Sequence, residues 1–286
     1  MINGVMLLWF LLTAMAIAFV AIDIRSTPGS LVLKWGFILL TAYTGPFGAF
    51  LYVLGCREPL PGLHERYVAV RWRQVLGSTM HCVAGDGIGI LVGALISSIL
   101  GLHGIGEVLL EYLLGFAFGW TIFQALFMRD MVGGSYARSL TKTFVPELLS
   151  MNLLMAGMVP TMVILRSELG SEVSPASPVF WFVMSMALLV GFIVAYPMNW
   201  WLVANHLKHG MFTVRRADPG QTVLAQAQTG PGKAEATLPG QASHAASGMD
   251  DGRSAPVPPV IVMALVSFIA LAGGALIAWL KLTGRV

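Results

Sequence analysis

Long apolar runs are the feature that most constrains how this chain can fold. A bilayer hydrocarbon core of about 30 Å requires roughly 20 apolar residues in helical conformation. Stretches of this kind lie at about 5–23, 31–54, 80–102, 106–128, 144–165, 179–204 and 259–280, and none has a charge at its centre. The sequence therefore predicts an all-α, polytopic transmembrane helix bundle of about seven helices.

Composition points to the lipid bilayer as the main surroundings of the chain. Hydrophobic residues make up 56% of the sequence and charged residues 11%, whereas about a quarter of the residues of a soluble domain are charged. The basic residues are confined to loops, so we expect no nucleic-acid partner. Cys56 and Cys82 are too few for a disulfide framework, and a reduced thiol is expected for each.

The distribution of lysine and arginine predicts the orientation. Seven crossings place twelve basic residues on the side of the N-terminus and five on the other, so the N-terminus is predicted to be cytoplasmic and the C-terminus outside. Arg25 argues locally against this orientation, because it follows a first span that has no basic residue before it. That first span lacks a basic segment and a cleavage site, and we expect it to be retained.

Four regions are expected along the chain. Residues 1–55 hold two N-terminal helices, 56–212 a four-helix core with a polar lining, and 258–286 a C-terminal helix. Residues 213–257 are rich in Pro, Gly, Ala, Ser and Gln and are predicted to form a flexible cytoplasmic linker.

The third helix carries the most polar stripe of the core. Cys82, Asp86, Gly89 and Gly93 stand at i, i+4, i+7 and i+11, which places a thiol and a carboxylate among small residues. This stripe, together with Gly85, is expected to face other helices. An ionisable residue inside the membrane indicates function by default, but the same groups could serve only to fix helix packing.

The next three helices add further candidates. Gly115 and Gly119 form a close-packing pair in the fourth helix, and a break at Pro197 is expected in the sixth. In the fifth, methionines recur at helical spacing, at Met151, Met155, Met158 and Met162. Such a stripe is more often core packing than a set of ligands.

The predicted topology brings the polar residues of these helices to a similar depth near the cytoplasmic face. Thiolate, thioether and imidazole groups together suit Cu(I). The candidate metal ligands are His81, Cys82, Met151, Met155, Met158, His206 and His209. Residues expected to support these ligands or to carry protons are Asp86, Gln124, Glu147 and Asn199.

Several motifs in this region occur in an order that resembles a known family. They are His81-Cys82 with Gly85-Asp86, the run 116–119, Met128 to Met131, the segment 151–158, and Pro197 to Trp201 followed by His209-Gly210-Met211. From about residue 57 to 211 the chain resembles the bacterial multi-pass membrane family known as domain of unknown function number 4396. The resemblance implies a helical membrane protein in a bacterial inner membrane and an association with copper handling.

Three functions follow as hypotheses. The first is a carrier for a soft metal ion, most simply Cu(I), and the second is a haem-binding electron carrier with His81 and His206 as axial ligands. The third is a non-catalytic assembly subunit in which the stripes only pack. An enzyme is not favoured: the Gly-x-Ser-x-Gly motif of hydrolases is missing, and without a P-loop motif the sequence gives no sign of ATP-driven pumping. The oligomeric state is not predicted.

Overall fold

The computed structural model describes residues 2–27, 31–57, 67–129, 134–170, 174–210 and 257–285. Within these ranges the chain is helical and contains no strand, which confirms the predicted all-α polytopic class. The predicted linker at 213–257 lies almost wholly outside the described residues.

The helices are numbered in chain order. They are α1 (Ile2–Asp23), α2 (Leu31–Thr44), α3 (Pro46–Gly55), α4 (Arg71–Leu100), α5 (Ile105–Ala117), α6 (Leu126–Arg129), α7 (Tyr136–Leu169), α8 (Pro178–Ala204) and α9 (Val257–Leu282). A π-helical segment, Phe118–Ala125, joins α5 to α6 without interruption. Six helices in the described part are long and apolar enough to cross a membrane: α1, α4, α5 with its π-helical continuation, α7, α8 and α9.

The predicted span at 31–54 is instead a pair of short helices, α2 and α3, folded into a hairpin. Gly45 between them has φ 61°, a left-handed conformation that suits glycine, and Pro46 starts α3 without needing an N–H partner. A Cβ atom at Gly48 would overlap the backbone of Thr41, so the two helices pack closely against each other.

The hairpin returns the chain to the end of the bundle at which α1 ends. Nε of Arg57 lies 3.0 Å from Oδ2 of Asp23, and the hydroxyl of Tyr52 donates to the same oxygen at 2.7 Å. The tip at Gly45 lies against Thr13, about 15 Å along α1 from Asp23 at 1.5 Å per residue. The segment therefore enters the bundle to about half its depth and leaves on the same side.

This path changes the number of crossings between the two ends of the chain. With six crossings, α1 begins and α9 ends at the same end of the bundle, not at opposite ends as seven crossings would require. The contact between Lys281 and Glu168, 2.9 Å apart, ties the end of α9 to the end of α7. We call this end the arginine end, after Arg166, and the opposite end the lysine end, after Lys208.

Helix α4 lies at the centre of the bundle and packs against α2, α5, α7 and α8. Its glycines allow close approach: a Cβ at Gly89 would overlap the carbonyl oxygen of Leu114, and a Cβ at Gly93 would lie 2.8 Å from Cα of Glu111. Helix α9 packs along α7, where Gly274 meets the backbone of Ala156. The glycines of α4 and α9 therefore bring these helices into direct contact with the backbones of α5 and α7.

Helix α8 does not break at Pro197 as expected. It is assigned as one helix from Pro178 to Ala204, and α7 likewise runs through Pro146 and Pro160. Neighbouring helices in a bundle can satisfy the backbone groups that a proline frees, so the ring does not end the helix here.

Candidate functional site

Five buried polar side chains meet near the lysine end of the α4–α5–α7 interface. Cys82 and Asp86 lie one turn apart on α4, Gln124 comes from the π-helical segment, Glu147 from α7, and Lys208 from the turn after α8. All five are at most 5% exposed. We call this group the lysine-end cluster.

Glu147 and Cys82 are the hydrogen-bonded centre of the cluster. The thiol of Cys82 donates to Oε2 of Glu147 at 3.2 Å, and Nε2 of Gln124 donates to the sulfur at 3.0 Å. Nζ of Lys208 donates to the same Oε2 at 3.1 Å and also contacts the Cys82 sulfur. Lys208 and Glu147 therefore form an ion pair that is almost completely removed from solvent.

Asp86 and Glu147 face each other across Gly119. A Cβ atom at Gly119 would overlap Oδ1 of Asp86 and lie 2.7 Å from Oε1 of Glu147. No donor from another described residue reaches either oxygen of Asp86 or Oε1 of Glu147, but the two carboxyl groups are close enough to share a hydrogen bond. Two carboxyl oxygens, Oδ1 of Asp86 and Oε1 of Glu147, thus fill the space that a side chain at residue 119 would take.

The cluster contains two carboxyl groups, on Asp86 and Glu147, but only one basic side chain, Lys208. Burial lowers the pKa of Lys208, but the contacts with Cys82 and Glu147 outweigh this effect and hold the pKa above its ordinary value, so the side chain is an ammonium ion. It can neutralise one of the two carboxylates. Because an uncompensated charge is costly inside a membrane, the second carboxyl group has to hold a proton or a cation.

The π-helical segment shapes one wall of this site. Its carbonyl groups accept hydrogen bonds from neighbouring helices: His81 Nε2 lies 2.9 Å from the carbonyl oxygen of Phe123, and Ser139 donates to Ala125 at 2.7 Å. π-helical turns leave carbonyls outside the regular α-helical ladder and often occur at functional sites. These bonds fix the segment that carries Gln124 and Gly119.

Lys208 reaches the cluster because the chain reverses directly after α8. His206 has φ 57°, and the amides of Leu207 and Lys208 both donate to the carbonyl of Leu202. A Cβ at Gly210 would overlap the side chain of Gln74 on α4. The lysine is therefore turned back into the bundle.

The three histidines predicted as ligands lie in different settings. His81 is fully buried beside Phe123, His206 forms the chain reversal, and His209 is partly buried. Burial, with His206 and Lys142 nearby, lowers the pKa of His209, so it is a neutral imidazole at neutral pH. In the described parts of the chain, no group of three His, Cys, Asp or Glu side chains is arranged to hold a metal ion.

The predicted methionine ligands form a buried stripe on α7. Met151, Met155 and Met158 are each 0% exposed and belong to the main hydrophobic core. Met151 is the one nearest the cluster, one turn beyond Glu147, and its methyl group would lie 2.7 Å from a Cβ at Gly115. Their role as ligands stays a prediction.

Other predicted residues lie outside the cluster. Asn199 donates to Ser150 Oγ at 2.9 Å and to the carbonyl of Ala195 at 3.1 Å, which makes it a link between α7 and α8. A Cβ at Gly85 would lie 2.6 Å from the ring of Phe123. Sequence reasoning placed Cys82, Asp86, Gln124 and Glu147 at one depth but assigned Lys208 to a loop. The available signal was Gly210, a residue small enough to let the chain fold back on α4.

Comparison with known families identifies the segment that builds this site. Residues 71–208 match the family described as Domain of unknown function (DUF4396), in agreement with the resemblance seen in the sequence. Neither the curated proteins nor the solved structures gave a match. The matched segment starts at the first residue of α4, ends at Lys208 and includes every member of the lysine-end cluster. The protein is a multi-pass membrane protein whose residues 71–208 match the DUF4396 domain.

Proposed function

We propose that this protein carries a cation across the bilayer in exchange for a proton at the lysine-end cluster. The observation behind this proposal is the excess acid group: Asp86 and Glu147 share the space above Gly119, and Lys208 balances only one of them. An ionisable residue held inside a membrane bundle is expected to lie on an ion or proton pathway.

The proposed exchange conserves charge at each step. In the unloaded state Lys208 pairs with Glu147, and Asp86 holds a proton. A monovalent cation that enters beside Gly119 takes the place of that proton, which leaves toward the solution. The net charge of the cluster is the same before and after, so neither state contains an uncompensated buried charge.

Lys208 serves in this scheme as a tethered counter-cation. It comes from a turn and not from a spanning helix, and it is held by the reversal at His206. Movement of this turn would withdraw the ammonium group without unfolding a helix. The carboxylate of Glu147 would then become available to the incoming cation.

Cu(I) is the cargo that we propose from the chemistry of the donors. The Cys82 sulfur lies within the cluster, and a thiolate is a strong Cu(I) ligand. Met151 follows one turn beyond Glu147 and offers a thioether at the next level of the interface. Binding of Cu(I) to Cys82 would pass the thiol proton to Oε2 of Glu147, which already accepts a hydrogen bond from that thiol, so the one proton that leaves the cluster is that of Asp86.

Proteoliposomes test the transport proposal. Purified protein is reconstituted with a pH-sensitive dye in the lumen, and Cu(I) kept reduced by ascorbate, Na⁺ or K⁺ is added outside. Uptake of the cargo should make the lumen alkaline. Asp86→Asn should lose this signal, and Glu168→Gln, which neutralises an exposed carboxylate of α7, should keep it.

The cargo is decided by a second variant in the same assay. Cys82→Ser should abolish the response to Cu(I), because the hydroxyl is a poor Cu(I) ligand. A response to Na⁺ or K⁺ that persists in Cys82→Ser would support cation–proton exchange but identify Na⁺ or K⁺, and not Cu(I), as the transported ion. Liposomes that respond to no cation faster than empty ones would contradict the proposal, and a Soret band in the same sample would favour the haem hypothesis.

A further inference from the structure

A second group of charged residues lies at the arginine end of the α4–α5–α7 interface. It comprises Glu107 and Glu111 on α5 and Arg166 on α7. Nη1 of Arg166 lies 2.8 Å from Oε1 of Glu107, and Glu111 is close enough to interact electrostatically with both. We call this group the arginine-end cluster.

Glu111 is the unusual member of the arginine-end cluster. It is 0% exposed, and neither of its carboxyl oxygens has a hydrogen-bond partner among the described residues. It lies where α5 crosses α4 closely, because a Cβ at Gly93 would lie 2.8 Å from its Cα. Burial of a carboxyl group without partners is costly, and such a group does not arise from packing alone.

The arginine-end cluster repeats the charge pattern of the lysine-end cluster. Each has two carboxyl groups and one basic side chain, and in each the basic group pairs with one carboxyl. Asp86 at one end and Glu111 at the other are the carboxyls left over. Gly119 and Gly115 continue the stripe of Glu107 and Glu111 at intervals of four residues, so both clusters lie on one face of α5 and its continuation.

Access to solution differs between the members of the arginine-end cluster. The side chain of Glu107 is 13% exposed and that of Arg166 is 21% exposed, so the ion pair reaches the surface, with Glu111 behind it. On the other side, Ile90 and Met151 meet Gly115 between the two clusters. From Asp86 to Gly93 the rise along α4 is about 10 Å, so the two clusters lie at different depths of the interface.

We propose that Glu111 is the proton-binding site at the arginine end, which exchanges protons with the solution through the Glu107–Arg166 pair. The inference rests on the proposed transport function, for which it supplies the second protonation site. The groups that face Glu111 are Glu107 from its own helix and Arg166 from α7, and α4 presents Gly93.

The first test reads the proton on Glu111 directly and does not depend on transport. Infrared difference spectra between acidic and neutral pH are recorded on the protein in lipid vesicles. Glu111→Gln should lose a C=O stretching band of a protonated carboxyl that the wild type and Glu168→Gln retain. Glu111→Asp keeps an ionisable group and should keep a shifted band. An unchanged spectrum for Glu111→Gln would overturn the proposal.

The second test connects Glu111 to transport. In proteoliposomes with Cu(I) as the probe, Glu111→Gln should lose the alkalinisation of the lumen yet still bind Cu(I) in detergent, whereas Asp86→Asn should lose the alkalinisation by altering the cation site itself. Wild-type flux in Glu111→Gln would overturn the role in transport. If the wild type moves no cation, the proposed function fails, and the infrared band alone decides whether Glu111 exchanges protons.

Discussion

The two ends of the α4–α5–α7 interface hold the same kinds of charge in different surroundings. At the lysine end the ion pair of Lys208 and Glu147 is 4% and 0% exposed in its side chains. At the arginine end the corresponding pair, Arg166 and Glu107, is 21% and 13% exposed. The same charge pattern is thus sealed at one end and partly exposed at the other.

This difference indicates what each end can do. A sealed pair depends on every partner, because water cannot replace a lost one, whereas a partly exposed pair can lose a partner at smaller cost. Lys208 reaches its site through a turn, and Arg166 is fixed in a long helix. We therefore expect the lysine end to bind the cargo and the arginine end to exchange protons.

The first prediction concerns the side of the membrane that each end faces, and its outcome is all or none. With six crossings, the loops that carry the twelve basic residues counted above are predicted at the lysine end, although the N-terminus itself is not. The α2–α3 hairpin adds Arg25 and Lys34 to that end, which gives fourteen against three. The positive-inside rule then places the lysine end in the cytoplasm and both chain termini outside. Reporters that are active only outside should be active at both termini and inactive near residue 230. An active N-terminal reporter would not occur with seven crossings, which place that terminus inside.

The second prediction compares the loss of each basic side chain. Lys208→Met leaves the carboxylate of Glu147 without a counter-ion in a sealed site and should destabilise the protein by about 3–5 kcal/mol. Arg166→Met should cost on the order of 1 kcal/mol, because its site is partly exposed. Thermal unfolding in detergent measures both. The double variant Lys208→Met with Glu147→Gln should recover much of the loss, and a cost equal to that of Lys208→Met alone would show that the ion pair is not the cause.

The sequence was sufficient for the membrane class, the core helices and most of the lysine-end cluster. Cys82 and Asp86 could be placed on a buried stripe because helical periodicity and glycines define one face of α4. The hairpin at Gly45 could not be predicted from hydropathy, since α2 and α3 together have the length and apolarity of one span. Lys208 was missed for a related reason: a lysine after the end of a span is expected to face water, and only the reversal at His206 turns it inward.

The third prediction tests the glycine contact that holds α4 against α5. Gly89→Leu would place a side chain on the carbonyl of Leu114, and the backbone cannot move away without separating the helices. We expect a clear loss of folded protein, with a cost of about 3 kcal/mol or more. Gly273→Leu is the matched control, because a Cβ at Gly273 meets nothing within 4 Å. Size-exclusion yield after purification measures the effect, and equal yields for the two variants would contradict the close contact.

The fourth prediction concerns the methionines between the two ends and has the smallest expected effect on stability. Met151→Leu and Met158→Leu should each cost less than about 1.5 kcal/mol, because the exchange conserves volume. Met151→Leu should weaken Cu(I) binding about tenfold, or 1.4 kcal/mol, and Met158→Leu should not change it. Competition with a coloured Cu(I) chelator measures the affinity. Equal affinity in wild type and both variants would assign the whole stripe to packing.

The exchange of a proton for a cation at Asp86 is the central claim, and proton release on binding tests it most directly. Cu(I) binding is followed by calorimetry in buffers that differ in ionisation enthalpy, which gives the number of protons released per ion bound. The wild type should release about one proton more than Asp86→Asn, whose amide group does not ionise, and Glu168→Gln should match the wild type. Equal proton release from the wild type and Asp86→Asn would contradict the claim.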